Sequence, residues 1–302
     1  MSEIVHLTVI GLIVGSIIGL GAMGLTLTYG ILRFANFAHA DLMTLGMYLA
    51  FFVVGDLGLA GAELGPLSFG WGMIPAALFA IAGVSLVAVA TDRIVFRPLR
   101  DRGSGFLTLA VASLGIGIML RAAIQIVWGP AQRRYTTGIH EAWTIFGDVK
   151  IKPDQLLIIA LTAAAAVLLY LLLYRTRLGT AMRATSDNPQ LAEASGIDTE
   201  RVRQGTWIVA GALIAVAGIM FAVQSQLRFN AGFEFMLLPM FAAVIVGGIG
   251  NPWGALAGGL LVGVSQEVST EWIDTGFKPA IPFVILIAAL ILRPRGLFGS
   301  TI

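Results

Sequence analysis

The residues able to do chemistry are few and scattered. The three histidines, His6, His39 and His140, lie in separate segments, and cysteine is absent, so no thiolate or histidine cluster is available for a metal. No Gly-x-x-x-x-Gly-Lys-[Ser/Thr] loop, His-Glu-x-x-His pair or Gly-x-Ser-x-Gly elbow occurs, which argues against phosphate-cradling, zinc-protease and serine-hydrolase chemistry. The polar residues beside apolar stretches suit binding and passage instead. They are Thr26 and Tyr29, then Asn36, His39 and Asp41, and later Gln224 and Gln226. Asn36 and His39 fit the lining of a translocation route. Asn36 also fits a helix cap and Asp41 the first helical turn, where a carboxylate meets the positive end of the helix dipole; capping is the expectation for both. Arg33 reads as an interfacial anchor. Arg121 sits inside an apolar run, where an ionisable residue is a functional candidate, but its position near the end of the run favours snorkelling to the interface.

The strongest local signal is polar. Segment 175–206 interrupts two long apolar runs and holds Arg183, Asp187, Asn188, Pro189, Glu193 and Gly196. Asp187-Asn-Pro189 makes a turn with proline at an early helical position, where its missing N–H costs little. Leu191-Ala-Glu-Ala-Ser-Gly196 then reads as a short helix closed by glycine. One short helix on each side of the proline would form a compact knob. A tight turn would suffice as a connector, so the knob reads as a docking handle for a soluble partner; a solvated loop on the membrane surface is the alternative.

These residues are set in an oily frame. The chain of 302 residues is 57% hydrophobic and 12% charged, against about 25% charged in soluble domains. That balance places it in a bilayer, among lipid. The net charge of +2 gives no argument for nucleic acid. Met1 to Ile10 has no Lys or Arg, so it lacks the basic start of a signal peptide, and the first apolar run is expected to stay as a helix. Candidate spans are 9–32, 37–55, 72–91, 105–127, 155–174, 207–226, 236–263 and 277–292. In lipid these must be helices. The expectation is an all-α polytopic membrane protein of about eight apolar segments, one domain over 1–302.

Arginines orient it. Segments 92–102 and 175–206 and the tail with Arg293 and Arg295 are cytoplasmic by the positive-inside rule. Segments 56–71 and 264–276 are acidic and face outward. Segment 128–154 must also lie outside, and there Arg133, Arg134, Lys150 and Lys152 violate the rule, partly offset by Glu141, Asp148 and Asp154. Both flanks of 236–263 are then external, so that segment enters and returns. Its centre contains Gly247, Gly248, Gly250, Pro252 and Gly254, which cannot be straight helix. Arms of about 14 residues reach only about 21 Å each. A pair of short or re-entrant helices joined by exposed backbone and a full hairpin with a cytoplasmic turn both remain open. Glycines recur every four residues at Gly11, Gly15 and Gly19 and at Gly250, Gly254 and Gly258. Close helix packing within one subunit is expected, with a dimer seam as the alternative.

Taken in order, several motifs resemble one family. They are Gly24-Leu-Thr-Leu-Thr-Tyr-Gly30 with Asn36-Phe-Ala-His-Ala-Asp-Leu42, Phe96-Arg-Pro-Leu-Arg100, Gly179-Thr-Ala-Met-Arg-Ala184, Val246-Gly-Gly-Ile-Gly250 and Leu292-Arg-Pro-Arg-Gly-Leu-Phe-Gly299. The chain is similar, from about Gly11 to Gly299, to the membrane permease of high-affinity branched-chain amino acid ABC importers. The resemblance implies a passive pore half without a cofactor, in the bacterial inner membrane. It implies a second homologous permease subunit, two cytoplasmic ATP-binding subunits and a periplasmic substrate-binding protein as partners. It also implies that 180–197 is the coupling loop seated in an ATPase. Two departures stand out: the loop lacks the Glu-Ala-Ala-x-x-x-Gly pattern of many importers, and Ala40 replaces the glycine of Asn-Phe-Ala-His-Gly, implying a shifted backbone at the start of the second span. The competing class is a self-sufficient secondary transporter or channel, which would need ionisable residues in its spans.

Overall fold

The computed structural model describes residues 2–135, 143–145, 149–293 and 295–299. His140, Glu141, Asp148 and Pro294 lie outside the described residues. Helix α1 runs Ser2–Leu32 and stops where Arg33 takes the left-handed φ of 57°. Helix α2 is His39–Phe51, prolonged by a π-turn over Phe52–Asp56. Helix α3, Met73–Thr91, passes through a π-turn into the short α4, Arg97–Asp101. Helix α5, Phe106–Trp128, ends at Gly129, whose φ of 77° suits only glycine well.

A small antiparallel pair follows, β1 Trp143–Ile145 with β2 Val149–Ile151. It is an addition to the all-helical expectation. Then come α6 Pro153–Arg175, α7 Arg177–Asp187, α8 Pro189–Ala194 and α9 Thr199–Gln224. A π-turn at Gly232–Met236 leads into α10 Leu237–Gly247, followed by α11 Pro252–Val268 and α12 Ile281–Leu292.

Among the described residues, six helices are long and apolar enough to cross a membrane, rather than about eight. The two segments that fall short, 37–55 and 236–263, both start inside the bundle, and the second is also broken by the glycine turn between α10 and α11. Residues 33–38 run back from the end of α1 without helix, and the Phe37 N–H donates to Ser113 Oγ on α5 at 2.9 Å. Helix α2 therefore begins beside Gly21 in the body of α1, and only 13 residues of α-helix remain. Opposite it, the Gly232 N–H donates to Thr44 Oγ1 at 2.9 Å, so the arm into α10 also starts in the interior. A Cβ on Gly232 would stand 1.8 Å from the Ala40 carbonyl oxygen. The backbone at Ala40 is therefore approached closely by Gly232.

Helix α9 is the centre of the bundle. Two-thirds of its apolar window (67%) is buried, against 6% for the last segment, Thr275–Leu292. Trp207 stacks on Phe96 with ring centroids 5.6 Å apart, and Phe34 also packs on Phe96 at 4.8 Å. Outward faces of α5, α6 and α12 are apolar, with Leu107, Ile126, Leu168 and Ile291 exposed. Such a surface suits hydrocarbon, where apolar residues cost nothing outside.

The glycine stripes do the packing within this chain. Helix α11 lies antiparallel on α1, and a Cβ on Gly263 would stand 2.3 Å from Gly15 Cα, one on Gly259 2.3 Å from Gly19 Cα. Gly254 and Gly258 press on the carbonyls of Gly247 and Ala243, closing α10 onto α11.

Candidate translocation cavity and coupling surface

At the end carrying α7 and α8, local rules build the knob. Thr176 Oγ1 accepts from the Gly179 N–H at 3.1 Å, capping α7. Asn188 Oδ1 accepts from the Leu191 N–H at 3.0 Å and Pro189 occupies the first turn of α8. Helix α8 closes in a Schellman motif: the Ile197 N–H reaches the Ala192 carbonyl at 3.0 Å, and Gly196 supplies the φ of 84°. Arg183, Asp187, Asn188, Glu193 and Gly196 are exposed and Pro189 is half-buried. The Arg183 guanidinium lies 4.8 Å over the Tyr174 ring. The knob also offers Leu191, 65% exposed, which the sequence reading passed over. It is an exposed apolar residue on a largely polar knob.

The knob is fastened to α1. Arg33 donates to the carbonyls of Ser186 and Asp187 at 3.2 and 3.4 Å, and Ser186 Oγ donates to the Gly30 carbonyl at 3.1 Å. Arg33 thus complements the negative end of α7, a role more specific than an interfacial anchor. One turn away, Thr26 Oγ1 accepts from the Gly250 N–H at 2.8 Å, tying the α10–α11 turn to the same stretch of α1. Tyr29 is half-buried beside it. The turn itself uses Gly248 at φ 101° and Gly250 at φ 86°, and Asn251 caps α11. Its backbone is covered by the chain's own tail: the Leu297 N–H donates to the Val246 carbonyl at 2.7 Å and the Phe298 N–H to Gly247 at 3.2 Å. Arg-rich residues nearby are neutralised in part. Arg100 meets the fully buried Asp92 at 2.6 Å, and Arg203 meets Glu200 at 3.1 Å.

The opposite end opens into a cavity of about 1230 Å³. Its lining includes the apolar Phe221, Phe233, Phe235, Leu237, Phe241 and Phe283 and the charged Arg134, Lys152, Asp154, Glu234 and Lys278. Gln224 and Gln226 line it. The volume exceeds the usual 300–1,000 Å³ of a snug ligand pocket, so it suits a passage. Thr26, Tyr29, Asn36, His39, Gly247, Gly248 and Gly250 do not line it. Asn36 Oδ1 accepts from the Ala38 N–H at 3.1 Å in a local turn, and Ala38, not Asn36, holds the cap position of α2. His39 is buried with its Nε2 3.0 Å from the Gly21 carbonyl. Arg121 does not snorkel. It pairs with Asp41 through Nε–Oδ1 at 3.0 Å and Nη2–Oδ2 at 3.2 Å, under the Phe233 ring at 3.9 Å.

A multi-pass helical bundle with interior half-helices, a cavity at one end and a built polar knob at the other defines a membrane permease. The chain belongs to the family described as branched-chain amino acid transport system, permease component, which matches residues 7–291. It is 32% identical to the high-affinity branched-chain amino acid transport system permease protein BraD of Pseudomonas aeruginosa, over 99% of this chain and 98% of that one. It is 28% identical to LivH of Escherichia coli, a permease of the same description, over 96% and 93%. LivM of Escherichia coli, likewise so described, is 24% identical over 73% of this chain and 56% of its own length. No solved structure matches. These relatives are transport permeases, so the chain is a permease and not an enzyme.

Proposed function

We propose that this chain is one membrane half of an ABC importer for branched-chain or related amino acids in a bacterial inner membrane. In this reading residues 1–302 form a single transmembrane domain, and 175–206 is its cytoplasmic coupling loop. The observation that carries it is the capped knob of α7 and α8, with Leu191 exposed and Arg33 gripping its base. Two cytoplasmic ATP-binding subunits drive the assembly, one seated on Arg183, Asp187, Asn188, Pro189, Glu193 and Gly196. A periplasmic binding protein delivers substrate to the cavity at the far end. A second homologous permease completes the path; LivH and LivM of one organism are both similar to this chain, which supports a hetero-pair.

The mechanism is alternating access. Closure of the ATP-binding subunits moves the knob, Arg33 passes the motion to α1, and Thr26 and the glycine seam pass it to α10 and α11. Thr26, Tyr29, Gly247, Gly248 and Gly250 act as the joint of this path, Asn36 and His39 fix the start of α2 beside it, and Gln224 meets substrate at the mouth. A lining that combines aromatic and charged residues suits a zwitterion bearing an aliphatic side chain. A secondary transporter is not supported: within the spans the ionisable pair Asp41 and Arg121 is mutually neutralised.

The test is Leu191→Asp in the reconstituted assembly. ATP hydrolysis stimulated by the loaded binding protein should fall tenfold or more, with the permease still folded. Full stimulation in that variant, or uptake by this chain alone, would overturn the assignment.

A further inference from the structure

We propose that Asp41 and Arg121 form an exchangeable ion pair that reads the ammonium and carboxylate of a zwitterionic substrate partway along the path. The proposal rests on the function reading above and names the group that recognises the charged end of its substrate. The Asp41 carboxylate is 1% exposed and the Arg121 side chain 20%, and both stand on apolar helices. A charged pair in such a place costs desolvation that an apolar pair would not, so packing alone does not account for it. Charged residues within spans mark pathways for polar solutes.

The pair is not sealed. It edges a second cavity of about 220 Å³, lined otherwise by Phe37, Leu114, Ile118 and Phe233. Phe37 and Phe233 also line the large cavity, so the two spaces adjoin across these rings. Gly117 leaves room for the carboxylate, since a Cβ there would stand 2.4 Å from Asp41 Oδ2. Phe233 lies on the Arg121 guanidinium from the π-turn that starts the α10 arm, a helical irregularity common at functional sites. Movement of that arm lifts the ring from the ion pair.

The exchange is electrically balanced. An α-amino acid carries its carboxylate and ammonium on one carbon, so it can enter the two-point contact as a unit. Its carboxylate takes the Arg121 fork, and its ammonium takes Asp41. Ion contacts formed equal those broken, and no lone charge is buried. The side chain rests against Phe37, Leu114, Ile118 and Phe233. A ligand with only one of the two charges strands Asp41 or Arg121 without a partner and is excluded.

This chain has no cysteine, so Phe37→Cys, on the wall that both cavities share, gives it one reporter thiol, with cysteines of the other subunits replaced by serine. In the complete assembly in proteoliposomes, its reaction with a methanethiosulfonate is timed with saturating leucine, 4-methylpentanoate or 3-methylbutylamine. Leucine should slow labelling fivefold or more and the two singly charged analogues should not. Asp41→Asn and Arg121→Gln should each abolish this protection and cut leucine uptake tenfold or more. The swapped pair, Asp41→Arg with Arg121→Asp, retains an ion pair for folding and should still fail in uptake. Native uptake by the swapped pair, or equal protection by all three probes, overturns the site alone. A native assembly that moves no amino acid overturns the function reading and this site with it.

Discussion

Replacing Gly263 with alanine adds one methyl group at one of the two tightest places in the seam between α1 and α11. The new carbon would stand 2.3 Å from both Cα and N of Gly15, and 2.7 Å from the Gly11 carbonyl oxygen. Ordinary contact needs about 3.5 Å or more, so α1 and α11 must separate by about 1 Å. These obstacles are backbone atoms, and no side-chain rotamer can relieve them. A gap of that size forfeits a quarter to a half of each dispersion contact along the seam. Overpacking of this kind costs about 1–3 kcal/mol. Helix propensity pulls the other way by about 1 kcal/mol, leaving a net loss of about 0–2 kcal/mol. Gly115 supplies the control, because a Cβ there meets nothing within 4 Å; Gly115→Ala should be neutral or stabilising. Thermal unfolding of the purified permease in detergent, followed by size exclusion, should place Gly263→Ala several degrees below Gly115→Ala. Equal or reversed melting points would refute the claim that a glycine seam sets the distance between α1 and the broken pair.

Arg33→Gly separates stability from coupling. It relieves about 1–2 kcal/mol of left-handed backbone strain and gives up two exposed hydrogen bonds at 3.2 and 3.4 Å, together about 1 kcal/mol. Melting should change little while substrate moved per ATP falls; unchanged coupling would break the link from knob to α1. Tyr135 lies outside the spans, half-buried, with its hydroxyl donating to the Met47 carbonyl at 2.8 Å, and desolvation of that hydroxyl pushes its phenol up. The unfolded chain loses that proton near pH 10, so the contribution of Tyr135 is whole below about pH 10 and declines as pH rises further. In Tyr135→Phe, alkaline melting curves should lack this part of the decline. The same slope in both proteins would remove Tyr135 as its source.

Composition and local patterning alone determined much of this protein. An apolar chain with few charges must satisfy its backbone in helices, and six of the expected spans are such helices. The knob was legible because caps and glycine closures are written in neighbouring residues: Asn188 reaches only to Leu191, and Gly196 closes a turn begun at Ala192. The glycine stripes likewise announced close packing, although which helix each stripe meets was not in the spacing.

What the tertiary structure decided is the set of contacts across distant sequence. Asp41 and Arg121 stand 80 positions apart, and each alone reads as a dipole partner or a snorkelling side chain. Only their convergence makes an ion pair. The starts of α2 and of the α10 arm within the bundle were equally hidden, since hydropathy reports the length of an apolar run and not its depth. Arg33 and Asp187 are joined across more than 150 positions by a carbonyl contact that no side-chain pattern records. Local rules act over one or two helical turns, whereas a permease's working parts meet through space.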